Sequence, residues 1–322
     1  MDGYQQGQVR MKFPGIDWNV EAPEDHGLDA GRLADAAKAV GEIERRYGFL
    51  VIKSGAVVHE TYYKGDAASK YHTFSITKGF GATLVGIAQT QGYLTAKDLI
   101  WDWLPVHHPD IKAGATLEHV MAMTAAGDPE NHAYQYTSGP ILNSLPAILW
   151  QATGKSPAQF FDEEMAAPLG MTLAWPRNDK GWMQIGSQGP MKVMTSTHHD
   201  VARLGHLWLN RGQWNGARIM DESFVEAALT PTFSKANNAY GYLWWLNTGG
   251  SLWRDSANPP GVFEGKRLPK APDNVFMALG ARGKLMMVLP DHDMVVVSLG
   301  ETQGTQAQIL ALWDAIEMFL PS

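Results

Sequence analysis

Phe49-Leu50-Val51-Ile52-Lys53, a Ser54-Gly55 turn, and Ala56-Val57-Val58-His59-Glu60-Thr61-Tyr62-Tyr63 make up the stretch on which the fold turns. Two runs rich in β-branched and aromatic residues, joined by a short glycine turn, read as an antiparallel hairpin. Upstream, Leu28 to Glu44 carries Leu33, Ala36, Ala37 and Val40 at helical spacing, with Asp29 placed to cap the start. The matching pieces lie at the far end of the chain. Val275 to Leu279, Lys284 to Leu289 and Met294 to Leu299 read as three antiparallel strands, followed by a helix from about Gln306 to Leu320. Between the two ends, residues 75–247 show mostly helical spacing. The expected fold class is therefore α+β: an antiparallel sheet of about five strands built from both chain ends, flanked by the terminal helices, with a large helical insertion. The chain is expected to be a single domain over residues 1–322 with two lobes, 28–74 plus 248–322 for the sheet and 75–247 for the helices. The Gly-, Pro- and Asn-rich stretch from Asn247 to Asn274 is expected as a long loop over the mouth of a cleft between them.

Composition narrows the chemistry. With 322 residues, 45% of them hydrophobic, the chain can bury a full core. A net charge of -7 with both signs mixed leaves no basic face for phosphates, so nucleic acid is not an expected partner. No apolar run reaches the length of a membrane span, and Met1-Asp2-Gly3-Tyr4-Gln5-Gln6 lacks the charged and apolar regions of an export signal. The expectation is a protein off the membrane and in the cytoplasm, or in the periplasm if a signal has been trimmed. The absence of cysteine removes thiol nucleophiles, so covalent chemistry must use a hydroxyl, an amine or a carboxylate.

The strongest local signal is Phe74-Ser75-Ile76-Thr77-Lys78, a Ser-x-x-Lys directly before the helical run Phe80, Thr83, Leu84, Ile87, Ala88. Residues three apart on a helix share a face, so the amine of Lys78 reaches the hydroxyl of Ser75 and can accept its proton. The bland reading is a capping serine with a solvated lysine, since short motifs recur by chance. A second element follows the Gly127-Asp128-Pro129 loop: Tyr134-Gln135-Tyr136-Thr137-Ser138-Gly139-Pro140. Tyr136 on a short loop, with Ser138 two positions on, can present a phenol and a hydroxyl to the nucleophile, the phenol serving as base in acylation and acid toward the leaving group. The alternative is an aromatic packed under a turn, and Tyr134 is the second choice in that loop.

Ser75-x-x-Lys78, Tyr136-x-Ser138, Ala166-Ala167-Pro168-Leu169-Gly170-Met171, His199-Asp200-Val201-Ala202-Arg203-Leu204-Gly205 and Tyr240-Gly241-Tyr242-Leu243-Trp244-Trp245, in this order, resemble the serine β-lactamase-like superfamily of class C β-lactamases and penicillin-binding proteins. Within it the chain is most similar to the branch of 6-aminohexanoate-dimer hydrolases and family VIII carboxylesterases. The resemblance implies a β-lactamase/transpeptidase-like fold, a Ser75 nucleophile activated by Lys78 and Tyr136, and an oxyanion hole from the backbone N–H groups of Ser75 and Ala281. It departs from the lactam-binding members at one point. Where they carry Lys-Thr-Gly or His-Thr-Gly, this chain has Ala278-Leu279-Gly280-Ala281-Arg282-Gly283. Without that cation and hydroxyl a penicillin carboxylate loses its charge-assisted contacts. The expected substrate is thus a small or oligomeric ester or amide, with β-lactamase or D-amino-acid peptidase activity, and a catalytically inactive binding protein, as alternatives.

Gly280, Arg282, Ser138, Trp245 and Trp182 are candidate substrate contacts, Arg282 either as a replacement cation or pointing to solvent, and the tryptophans either as an acyl pocket or as core. The histidines at His107-His108 and His198-His199-Asp200 lack the helical pairing with glutamate of a zinc hydrolase, so no metal is expected. No glycine pattern has the place of a nucleotide fingerprint, and no cofactor is expected.

Overall fold

The hairpin is present: β1 (Gly48–Lys53) turns at Ser54-Gly55 into β2 (Ala56–Tyr62). The computed structural model describes residues 12–104, 109, 111–125, 134–136, 139, 141–179, 181–186, 194–233, 235–248, 252–255 and 261–321. β1 does not pair onward with a neighbour in sequence. It takes the last strand of the chain, Leu50 standing opposite Val297. With β3 (Trp245–Leu246), β4 (Phe276–Gly280), β5 (Lys284–Leu289) and β6 (Met294–Ser298), the sheet runs in the order β2-β1-β6-β5-β4-β3, antiparallel throughout. It has six strands where about five were expected. The addition is β3, whose two residues pair with Met277 and Phe276 and are too few to show a period of two.

The residues of β5 and β6 are buried along their whole length, so both faces of the sheet are covered. α1 (Ala30–Glu42) begins at Asp29, whose carboxylate accepts the Arg32 N–H at 2.8 Å. α2 (Thr77–Thr90) runs through the centre, buried over every residue from Thr77 to Ala88, as an all-round apolar helix must be. α3 (His198–Leu209) lies on β5 and β6, while α4 (Gln306–Glu317) packs on α1, with Phe319 just beyond it edge-on to Phe49 of β1. Among the described residues no helix is long and apolar enough to cross a membrane.

α3 approaches the sheet through Gly205, where an added Cβ would sit 2.6 Å from Val295 Cγ1 and 2.9 Å from Met286 Sδ. Gly205→Ala should destabilise the fold by about 1–2 kcal/mol, because overpacking outweighs the roughly 1 kcal/mol gained in helix propensity. Thermal unfolding should register it as a fall of a few degrees, and a rise in melting temperature would refute this packing.

The stretch from Asn247 to Asn274 is not the open loop expected. Leu252–Asp255 pairs with Gly261–Glu264 as a small hairpin. Residues 268–272 are tied down by Asn247, fully buried, whose amide donates to the carbonyls of Leu268 and Pro272 at 3.0 Å and accepts the Leu268 N–H at 2.7 Å. One side chain that satisfies several backbone groups lets Leu268 and Ala271 be buried in a segment without regular structure.

Candidate active site

The start of α2 is built by a single 3-10 turn, Phe74–Ile76. Thr73 fixes the turn from behind, donating both its N–H and its hydroxyl to Met194 O at 3.0 Å, while Ile76 N–H returns to Thr73 O at 3.1 Å. Phe74 takes a left-handed φ of 47°, a strained conformation for an aromatic residue that such anchoring makes tenable. Ser75 follows, half-buried, and Lys78, 2% exposed, donates from Nζ to Ser75 Oγ at 2.7 Å. The three-residue spacing thus does what helical geometry predicts.

The same nitrogen lies 4.8 Å from the centre of the Tyr136 ring. Tyr136 is delivered by its neighbour, since Gln135 N–H donates to Met123 O at 2.8 Å. Its ring is roughly parallel to Trp245 at 5.9 Å and edge-on to Tyr240 at 6.1 Å. Ser75, Lys78 and Tyr136, spread over sixty residues of chain, are brought together.

The third component is the end of β4. At Gly280 an added Cβ would fall 2.3 Å from Thr73 O and 3.3 Å from Ser75 N, so the strand runs against the backbone of Ser75 in a way only glycine permits. Ala281, exposed, comes next on that edge. Arg282 is 62% exposed, and its guanidinium pairs with Glu301 at 2.5 Å. Burial alone would raise the Glu301 carboxyl, but its bonds to Lys284 and Arg282 prevail and hold it at about 2. The Arg282 charge is therefore already engaged.

The tryptophans take different places. Trp245 is 4% exposed and backs the Tyr136 ring; Trp244 is fully buried against Trp208 and Phe276. Trp182 sits in a turn closed by Asn178, its N–H held by Asn178 Oδ1 at 3.0 Å, and among the described residues it makes no ring or hydrogen-bond contact with Ser75, Lys78 or Tyr136. Ser138, His107, His108 and the Gly127-Asp128-Pro129 loop lie outside the described residues. His198 is buried edge-on to Tyr62 and Tyr71, and burial, reinforced by Arg46 and His199, lowers it to about 3. His199 bonds Glu60 at 2.9 Å, and Asp200 accepts from Thr172, so these residues serve the start of α3. Among the described residues no group of three His, Asp or Glu side chains could hold a metal.

Two residues at the site were not anticipated. Lys284 and Arg46 are both buried beside the Ala281-Arg282-Gly283 turn. The available signal was a lysine opening the otherwise apolar run Lys284-Leu285-Met286-Met287-Val288-Leu289.

Comparison with known proteins agrees with this architecture. The profile of the β-lactamase family matches residues 33–316, nearly the whole chain. The chain belongs to the β-lactamase family, within the serine β-lactamase-like superfamily. Solved structures of the same fold include a putative 6-aminohexanoate-dimer hydrolase from Bacillus anthracis, 16% identical over 95% of this chain and 87% of that one, with a TM-score of 0.69. A β-lactamase from Mycobacterium bovis is 18% identical, covering 88% of this chain and 100% of its own, with a TM-score of 0.64. EstCE1, a hydrolase with promiscuous acyltransferase activity, is 15% identical over 89% of this chain and 98% of its own, with a TM-score of 0.63.

Proposed function

We propose that this protein is a serine hydrolase that cleaves an ester or amide of a small or oligomeric substrate through an acyl-enzyme on Ser75. The observation that carries the reading is the Lys78 amine, 2.7 Å from Ser75 Oγ and 4.8 Å from the Tyr136 ring. A hydroxyl is a poor nucleophile until a base takes its proton, and the amine and phenol are the groups at hand. In the first step Ser75 Oγ attacks the carbonyl carbon as its one proton passes to the neutral Lys78 amine, with the Tyr136 phenol beside it to hand a proton on to the leaving group. The backbone N–H groups of Ser75 and Ala281 hold the oxyanion, a contribution of about 3 kcal/mol per donor in comparable sites. The alcohol or amine leaves with the proton returned, and water then attacks the acyl-enzyme by the reverse path to regenerate Ser75.

Two features support a linear ester or amide over a lactam. The strand lining the site offers Gly280-Ala281-Arg282 in place of a lysine and a threonine, and the Arg282 guanidinium is paired with Glu301. The 6-aminohexanoate-dimer hydrolase likeness points the same way. Family membership keeps β-lactamase activity as the second reading.

Side-by-side turnover of p-nitrophenyl butyrate and nitrocefin, with fluorophosphonate labelling, tests this. The ester should be hydrolysed faster and Ser75 labelled. Faster nitrocefin hydrolysis would move the assignment to β-lactamase; no labelling and no turnover of either would indicate an inactive binding member of the fold.

A further inference from the structure

Beneath the turn that carries Ala281 lies a buried cluster of charge. Arg46, 3% exposed, donates from Nη1 to Gly283 O at 2.5 Å, and its other atoms hold Ser298 through Nε to Oγ at 3.1 Å and Nη2 to the carbonyl. Lys284, with a fully buried side chain, donates to Arg282 O at 3.4 Å, to Gly300 O, and to Glu301 Oε2 at 2.9 Å. Two consecutive carbonyls of the turn are therefore each met by a cation, in a turn whose Arg282 and Gly283 hold left-handed φ values of 61° and 74°. The cluster also reaches the nucleophile's turn. Lys284 Nζ lies 5.1 Å, and Arg282 Cζ 5.5 Å, from the ring of Phe74, the residue before Ser75.

We infer that Arg46 and Lys284 are positioning residues for the oxyanion hole, holding the Ala281 turn and the Phe74-Ser75 turn in one register. The inference rests on the serine-hydrolase reading above. A clamp needed only for folding would be served by apolar side chains, which often stabilise as well as or better than buried charges. Here Lys284 and Arg282 share one carboxylate, Glu301, while Arg46 bonds Gly283 O and Ser298, and burial lowers the proton affinity of both Arg46 and Lys284. What the charges supply that apolar groups cannot is direction: donors aimed at the Arg282 and Gly283 carbonyls fix the turn just after the peptide unit that carries the Ala281 N–H, and a positive environment favours an oxyanion nearby.

The test is steady-state hydrolysis of p-nitrophenyl butyrate by the full chain, with thermal melting of each variant. Lys284→Met should lower kcat about 30-fold with KM changed less than about threefold, the signature of interactions felt in the transition state. Lys284→Gln, which keeps an N–H donor for the Arg282 and Gly300 carbonyls, should regain about tenfold of the loss. Lys284→Met within about twofold of wild-type kcat, or Lys284→Gln no better than Lys284→Met, overturns the inference. If Lys284→Met does not melt cooperatively, Glu301→Gln decides: loosening Lys284 there should cost about fivefold in kcat, and an unchanged kcat overturns it. A wild-type protein that neither hydrolyses the ester nor labels with fluorophosphonate removes the serine-hydrolase reading and this inference together, an outcome distinct from active wild type with indifferent variants.

Discussion

Ser75→Ala is expected to lower ester hydrolysis by about 10⁴-fold or more and to abolish fluorophosphonate labelling, because the oxygen that forms the covalent intermediate is gone. The fold should survive. Ser75 is half-buried in a turn whose anchoring comes from Thr73 and Met194, so the variant loses one side-chain contact, the acceptor for Lys78 Nζ. Leaving that buried donor without the serine oxygen costs about 1–3 kcal/mol, which thermal melting should show as a modest decrease. Activity near that of wild type in a folded Ser75→Ala protein would end the assignment.

Gly280→Ala comes second in expected size. Its added Cβ would meet Thr73 O at 2.3 Å, and a backbone carbonyl cannot move aside as a flexible side chain can. Either β4 shifts outward and takes Ala281 with it, or the Thr73–Ile76 turn does, and each move displaces one of the N–H groups proposed to hold the oxyanion. A displacement of a few tenths of an ångström separates the donors from the position of the developing charge, so kcat/KM should fall about 10³-fold. Stability should fall by about 1–3 kcal/mol from the overpacking. Kinetics on a variant verified as folded by circular dichroism would check this, and an unimpaired rate would mean that β4 does not line the reacting carbonyl.

What could be read in the residues and what could not divide along the same physical line. The β1–β2 hairpin, α1 with its Asp29 cap and the strands β4 to β6 were legible because each is a local pattern long enough to show its period. The Ser75–Lys78 pairing was legible for the same reason, being a spacing on one helix. The strand β3 was not, since two residues have no periodicity, and the anchoring of residues 268–272 depends on one asparagine amide reaching carbonyls twenty and more residues away. Trp245 shows a different limit: its proximity to the site was readable, but whether it faced a ligand or backed Tyr136 depends on neighbours from other parts of the chain. Arg46 and Lys284 lie at the extreme. Arg46 meets Gly283 across 237 residues, and nothing near either position announces the contact.

The pairing of β1 with the final strand also dictates when the protein acquires reactivity. A chain emerging from synthesis carries its nucleophile early, but the sheet cannot close until Met294–Ser298 arrives to occupy the place beside Gly48–Lys53. Contacts of such long sequence separation are slow to form because the intervening polymer must first be confined. A nascent or truncated chain would thus hold Ser75, Lys78 and Tyr136 without the closed sheet that sets Gly280 against them, and on the proposed function it should be inactive until the final strand is in place.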